Sequence, residues 1–366
     1  MKSSQQWCIA ILLCSASLLA QSSSSPGPSA SKAASAPGEY PVMSSAAKAR
    51  ARVVFGYFDK GQANVLYTAF SPNMKKSSTP AKLTAFTKQM ETQWGHEEKM
   101  LGENFAPSLL TEGTVYSRYS QFSKIKDQIF TMLSILPDGQ VGVLQFQPAP
   151  SPSGSRYSDY QDKTKFRLPF DGDWFVYEGG RDIYQNAHAY RDVDRYSVTF
   201  TVLKGGKPFS GDGSKNEDYF CYGQPVLAPA DGKVVLTNNT FTDNLPGRAE
   251  EVMPSGNRVL IYHGHQEYSL FMHLKQNSIK VKSGEKVKQG DVIGECGSSG
   301  NSPVPMVEYR LQDSGGRPLP VSLPAQFVDY VADGTAVASG EPVRGQTVHN
   351  TSVPAASTTT QATDKR

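Results

Sequence analysis

GNRVLIYHGHQEYSLFMHLKQNSIKVKSGEKVKQGDVIGECGSSGNSPVPMVEYRLQD, residues 256–313, is the most densely patterned stretch of the chain. Two short β-rich runs, RVLIYH (258–263) and YSLFMH (268–273), are separated by GHQE, a spacing that predicts a hairpin. In SIKVKSGEKVKQGDVIG (278–294), Gly284 and Gly290 mark turns between short strands. After the loop GSSGNSPVP (297–305), MVEYRL (306–311) predicts a further strand. Side chains two apart on a strand share a face, so Met306 and Glu308 point one way and Val307 and Tyr309 the other.

This stretch resembles the LytM/lysostaphin-type zinc endopeptidases that cut peptidoglycan cross-links (metallopeptidase family twenty-three). MHL (272–274) matches the family's Y-x-H-L strand. KVKSGEKVKQGDVIGECGSSGNS (280–302) matches its V-x-x-G-x-x-V-x-x-G-x-x-I-G-x-x-G-x-(S/T)-G-x-S run without a gap. Upstream, LPFDGDWFVYEGG (168–180) is similar to the leading segment of a secreted subgroup, with Asn186 and His188 on its N-x-H. Arg195, Tyr196 and Phe200 match the next block, and YFCYGQPVLAPADGKVV (219–235) fits the family's strand-turn-strand. The resemblance covers roughly residues 168–330. It implies a mostly antiparallel all-β domain of the LytM type, built on a duplicated hybrid motif, over 168–335. The V-x-x-G-x-x-V-x-x-G-x-x-I-G pattern also occurs in biotinyl and lipoyl carriers. No modifiable Lys tripeptide lies at the right distance here, and the long upstream match opposes that reading.

The frame is kept and the chemistry is changed. A zinc endopeptidase needs three protein ligands and an open position for water. In this family a His and an Asp of the first motif hold the metal with the second His of a His-x-His pair. The first His of that pair and the His of Y-x-H-L handle protons and the oxyanion. Carried onto this chain, the resemblance leaves His188 as first-motif imidazole and His273 as the catalytic histidine of Y-x-H-L. Thr199 stands where the metal-binding Asp belongs, and Asp194 comes five residues too early to replace it. The expected Pro-His-Leu-His reads Pro305, Met306, Val307, Glu308. A neutral hydroxyl is a poor zinc ligand. A thioether cannot carry a proton, which removes a general acid or base typically contributing roughly 10²–10⁴ in rate.

The resemblance with these losses implies a catalytically degenerate domain, with no cofactor expected. It would bind peptidoglycan, or regulate a cell-wall amidase as degenerate relatives in Gram-negative division do. The groove would keep Tyr196, Thr199, Phe271, Met306, Glu308 and Tyr309. Two alternatives stand beside it. One is an active zinc endopeptidase with an unusual ligand set, its metal candidates His188 and Glu308 with His273. The other is a structural envelope module. His263 and His265 flank a turn, have no family role and are expected to be exposed.

The chain has 366 residues, enough for two domains and tails. Its net charge of +3, with 19% charged residues, gives no field of the kind that binds nucleic acid. Residues 1–20 read as a secretory signal, with Lys2, an apolar run over 7–13, and Ala20 before Gln21 as cleavage site. That run is too short to span a bilayer. The expectation is a secreted or periplasmic chain with no transmembrane helix; lipoprotein anchoring at Cys14 is the alternative, opposed by Leu13 before it. Cys221 and Cys296 would remain, either as a disulfide or as two buried thiols.

Residues 21–45 are Ser/Ala/Pro-rich and read as a disordered linker. From 46 the pattern turns helical, with a stripe of Val53, Val54, Tyr57 and Phe58, a second segment at Val65, Leu66 and Phe70, and a third opened by Thr79 as N-cap and Pro80 as first residue. Its apolar stripe is Leu83, Phe86, Met90 and Trp94. Strands are predicted over 115–122, 128–136 and 141–146. GYFDKGQANVLYTAFSPNMKKSSTPAKLTAF (56–86) resembles the small secreted form of the nuclear-transport-factor-two-like fold, which implies an α+β cone over 46–147 that binds or positions. His96, Glu97 and Glu98 read as a solvated loop. Residues 148–167 read as a Pro/Ser/Gly linker and 336–366 as a disordered tail.

Overall fold

The computed structural model describes residues 45–149, 154–316 and 319–351. The expected signal, and all but the last residue of the expected linker after it, lie outside the described residues.

The first half is α+β. Helices α1 (Ser45–Asp59), α2 (Ala63–Thr68), α3 (Pro72–Ser77) and α4 (Pro80–Gln93) precede strands β1 (Glu97–Pro107), β2 (Thr114–Phe122), β3 (Ile129–Ile135) and β4 (Val141–Pro148). The strands form one antiparallel sheet in chain order. Thr79 caps α4 as its sequence predicts: Oγ1 accepts from Lys82 N at 3.2 Å, and Pro80 opens the helix where its missing N–H costs nothing. Val54, Phe55 and Phe58 of α1, Leu83 and Met90 of α4 and Trp94 at its C-terminal cap share one core with Tyr116, Leu133 and Phe146 of the sheet. Two expectations are corrected. A fourth helix, α3, forms because Ser71 accepts from Met74 N and Pro72 follows it. Glu97 and Glu98 open strand β1 instead of lying in a loop, and Glu97 ion-pairs with Arg118 on β2. The first half of that strand is half-buried or exposed and charged, so it lacks the alternation that announces a strand.

The second half is all-β. Its strands are β5 (Trp174–Glu178), β6 (Val198–Thr201), β7 (Pro225–Leu227), β8 (Gly232–Asn238), β9 (Asn257–Tyr262), β10 (Tyr268–Leu274), β11 (Lys286–Val287), β12 (Val292–Glu295), β13 (Val307–Gln312), β14 (Ser322–Leu323), β15 (Phe327–Ala332), β16 (Thr335–Gly340) and β17 (Thr347–Asn350). The main sheet runs β11-β8-β9-β10-β13-β6-β5-β17-β15-β16, with β14 on β13 and a separate β7–β12 pair. The predicted hairpin is β9–β10, and Gly284 and Gly290 sit at turns with φ of 91° each, which a side chain would strain. β13 lies in the middle, between β10 and β6. Cys221 and Cys296 are joined, S–S 2.04 Å, which decides between the two readings left open by their spacing.

Two boundaries differ from the sequence reading. Residues 154–167 are not a free linker: Tyr157 and Tyr160 pack on the core, and buried Glu267 accepts from Tyr160 Oη at 2.9 Å, Lys163 N at 2.6 Å and Thr164 N at 3.0 Å. Nor do residues 336–351 belong to a disordered tail. Most of β16 and all of β17 lie there, and β17 inserts between β5 and β15. The small residues of TAVASG and the single buried Val348 of TVHN carry too little apolar pattern for such strands to be read.

Candidate functional site

The site is assembled at the head of β13. In register, Glu308 lies opposite Thr199 on β6 and Met272 on β10. Side chains directly opposite on paired strands share a face, so Glu308 and Thr199 meet on one side of the sheet.

His273 follows Met272 at a register shift in β10 and has φ 64°, a conformation a non-glycine residue seldom holds without support. The support is Ser299, whose carbonyl accepts from His273 Nδ1 at 2.9 Å. That bond turns Nε2 toward Glu308 Oε2, 3.3 Å away. His188 is held from the other side. It sits on a short 3-10 turn, Ala187–Tyr190, capped by Asn186. Asn186 Oδ1 accepts from His188 N at 3.0 Å, and its Nδ2 donates to the carbonyls of Gly180, Arg195 and Ser197. One buried amide thus closes the whole loop. His188 Nε2 faces Thr199 Oγ1 at 3.5 Å, and Nδ1 faces Asp194 Oδ2 at 3.8 Å.

The four residues expected to converge therefore do: His188, Thr199, Glu308 and His273. They form a chain of polar groups: His273 faces Glu308, His188 faces Asp194, and the neutral hydroxyl of Thr199 lies beside His188. Burial works against charge on His188 more than any single neighbour favours it, but the Glu308, Asp194 and Glu178 carboxylates together outweigh it and raise the imidazole to about 9. Burial likewise works against the Glu308 carboxylate; the charge of His188, the hydrogen bond and charge of His273 and the charge of Arg310 hold it well below the usual range. Asp194, dismissed as a ligand by its position, is the outer partner of this chain: burial notwithstanding, His188 and Arg191 hold it below its ordinary value.

Other expected groove residues are elsewhere. Phe271 and Tyr309 are fully buried in the main core, ring centroids 5.2 Å apart. The period of two that puts Glu308 on the site puts Tyr309 behind it. Tyr196 is buried beneath the guanidinium groups of Arg181 and Arg195. Met306, 8% exposed, joins an apolar cluster with Val304, Phe209, Tyr219 and Leu109. Leu109 comes from the N-terminal domain, and the sequence carries no signal for it beyond two leucines in a Pro/Gly-flanked turn. His265 is exposed as expected; His263 is not, since it packs edge-on against Phe166 and bonds Asp231 O and Ser269 Oγ.

This donor set does not fit a zinc ion. Thr199 offers a neutral hydroxyl, Met306 is taken up by apolar neighbours, and His188 holds a proton that would have to leave before its nitrogens could bind metal. Among the described residues, no cluster of three or more His, Cys, Asp or Glu is arranged to hold a metal ion.

Residues 214–320 match the profile of Peptidase family M23. The chain is 34% identical over 104 residues to an uncharacterised metalloprotease of Haemophilus influenzae, covering 28% of this chain and 19% of that protein. It is 35% identical over 89 residues to the peptidoglycan DD-endopeptidase ShyA of Vibrio cholerae, covering 24% and 17%. The chain thus spans less than a fifth of these two relatives. With the lipoprotein NlpD of Yersinia enterocolitica it shares 33% identity over 98 residues, 26% of this chain and 88% of that protein. Among solved structures, a mutant catalytic domain of the prophage-encoded M23 protein EnpA from Enterococcus faecalis aligns at 20% identity and a TM-score of 0.29, over 43% of this chain and 95% of that one.

Proposed function

Because the chain belongs to peptidase family M23 through its residues 214–320, we propose that this domain has kept the family's frame and given up its hydrolysis, and that it binds peptidoglycan or regulates a cell-wall hydrolase in the envelope. The observation that carries the reading is the occupation of the reacting positions. Glu308, at a ligand position, is engaged by His273 Nε2 and held ionised by the charge of His188. Met306, at a proton-handling position, is buried among apolar side chains. A carboxylate held ionised by charged neighbours is a weak base, and nothing at position 306 can move a proton. No hydrolytic step is derived through these residues.

Support for an envelope role comes from relatives named as a peptidoglycan endopeptidase, a lipoprotein and, in Caulobacter vibrioides, the cell division protein DipM. Among the described residues no helix is long and apolar enough to cross a membrane. Secretion by the leading segment belongs to this proposal, as does the nuclear-transport-factor-two-like reading of the N-terminal domain, which suits a docking module.

The test uses the full chain purified without chelator. Elemental analysis is expected to find no stoichiometric zinc, and muropeptide release from purified sacculi no cleavage. Sedimentation with sacculi or with envelope extract is expected to retain the parent and to lose the Glu308→Ala variant. About one zinc per chain together with muropeptide release would restore the enzyme reading. Failure to bind either material would favour the structural module.

A further inference from the structure

The N-terminal domain grips the M23 domain at two places, and these bracket the site. On one side, the β1–β2 turn buries Leu109 in the apolar cluster that contains Met306 and Val304. Tyr219 Oη donates to the carbonyl of Leu109 at 3.0 Å, and Lys207 Nζ pairs with Glu112 Oε1 at 2.7 Å. On the other side, Tyr119 and Phe130 from β2 and β3 pack with Ile183 and Ala189 on the loop that carries His188. There Tyr119 Oη donates to Ile183 O at 3.1 Å, and its ring meets Tyr184 edge-on at 4.9 Å.

From this we infer that the end of the former catalytic groove at Met306 is an interdomain socket, occupied in cis by the β1–β2 turn, and that the turn governs access to it. The replacement at 306 fits this use. A histidine there would bury a ring needing polar partners, whereas a thioether fills an apolar gap. The ends of the grip differ in kind. Leu109 is buried, while Leu110 beside it is 48% exposed and serves as an internal control.

The inference concerns the same site as the proposed function but needs no ligand, so either can fail without the other. The test is site-resolved alkylation of Met306→Cys by iodoacetamide in the full, oxidised chain, read by peptide mass spectrometry. Adding Leu109→Asp is expected to speed labelling of residue 306 at least about tenfold, equivalent to about 1.4 kcal/mol of lost docking. Leu109→Ala should give the same direction with smaller size, which covers the case that the aspartate variant does not fold. Leu110→Asp should leave the rate unchanged. Hydrogen exchange over 183–190 should rise with Leu109→Asp, because the second grip loosens with the first. Equal labelling in all variants would overturn the inference, and so would equal acceleration by Leu109→Asp and Leu110→Asp.

Discussion

On the proposed reading, Thr199 and Glu308 are single side-chain exchanges at two metal-ligand positions of an intact frame. The two residues face each other across β6 and β13, so the backbone brings their side chains together. The combined change Thr199→Asp, Met306→His, Glu308→His should therefore create zinc affinity. Regained metal ligands should count for more than the 10–100-fold typical of the groups that hydrogen-bond to such ligands, so a gain of at least about 100-fold over the parent is expected. Competition titration against a chromophoric chelator measures it, and no gain would mean that the strands no longer hold the family's geometry. Away from the site, Asp162 makes a pH-dependent contribution. Burial pushes its carboxyl up to about 8, with Glu267 and Glu341 adding to the rise against the opposing Gln326 N–H. An unfolded aspartate titrates near its ordinary value of 3.8, so between about 4 and 8 the folded state binds the extra proton. Stability is thus expected to fall as pH rises through that window, and Asp162→Asn should flatten the slope in urea midpoints taken from pH 4.5 to 8.5. An unchanged slope would place the dependence elsewhere. The four convergent residues were legible because strand spacing and motif frame fix them. Phe271 and Tyr309 were misassigned to the groove although strand parity already turned Tyr309 toward the core.

Among the elements, the loop over 180–197 owes its shape to one side chain. Asn186 closes it with one accepted and three donated hydrogen bonds, and it is fully buried. Asn186→Ala would strand carbonyls in a water-poor place and remove the cap of the turn that positions His188. A loss of about 2–3 kcal/mol is expected, since each unsatisfied buried group costs about 1–3 kcal/mol. Chemical denaturation reads the loss, and a change below about 0.5 kcal/mol would show that water replaces the amide. The Cys221–Cys296 bridge acts on a longer scale, closing residues 75 apart. In the chain-entropy view such a loop is worth roughly 4 kcal/mol, so the Cys221→Ala/Cys296→Ala pair should unfold at a denaturant midpoint well below the parent's in the same assay. Helix α4 could be read in advance from its cap, proline and apolar stripe, because those signals are local. Strand β1 could not, because its Glu97–Arg118 pairing is a tertiary contact that a charged run does not announce.

For the molecule as a whole, the decisive segment is one that composition alone assigns to a tail. β17 stands between β5 and β15, so the main sheet is continuous only because the chain returns after β16. Several bonds depend on that return. Val348 is fully buried opposite Trp174, and Asn350 accepts from Leu168 N and donates to the carbonyls of Leu168 and Phe170. Arg344 pairs with Glu178 at the end of β5, where both side chains are nearly buried. Without the segment, β5 and β15 would each present an open edge, and the LPF stretch that leads into the domain would lose its anchor. Deleting residues 336–366 is therefore expected to abolish cooperative thermal unfolding and drive the protein into the insoluble fraction. The point variant Val348→Asp, which keeps the chain length, should cost at least about 3 kcal/mol, as an unpaired charge placed in a core does. Calorimetry of the two variants beside the parent decides the matter. If the deletion melts with the parent's midpoint and enthalpy, the sheet ends at β5, and the pairing of β17 with β5 contributes nothing to the fold.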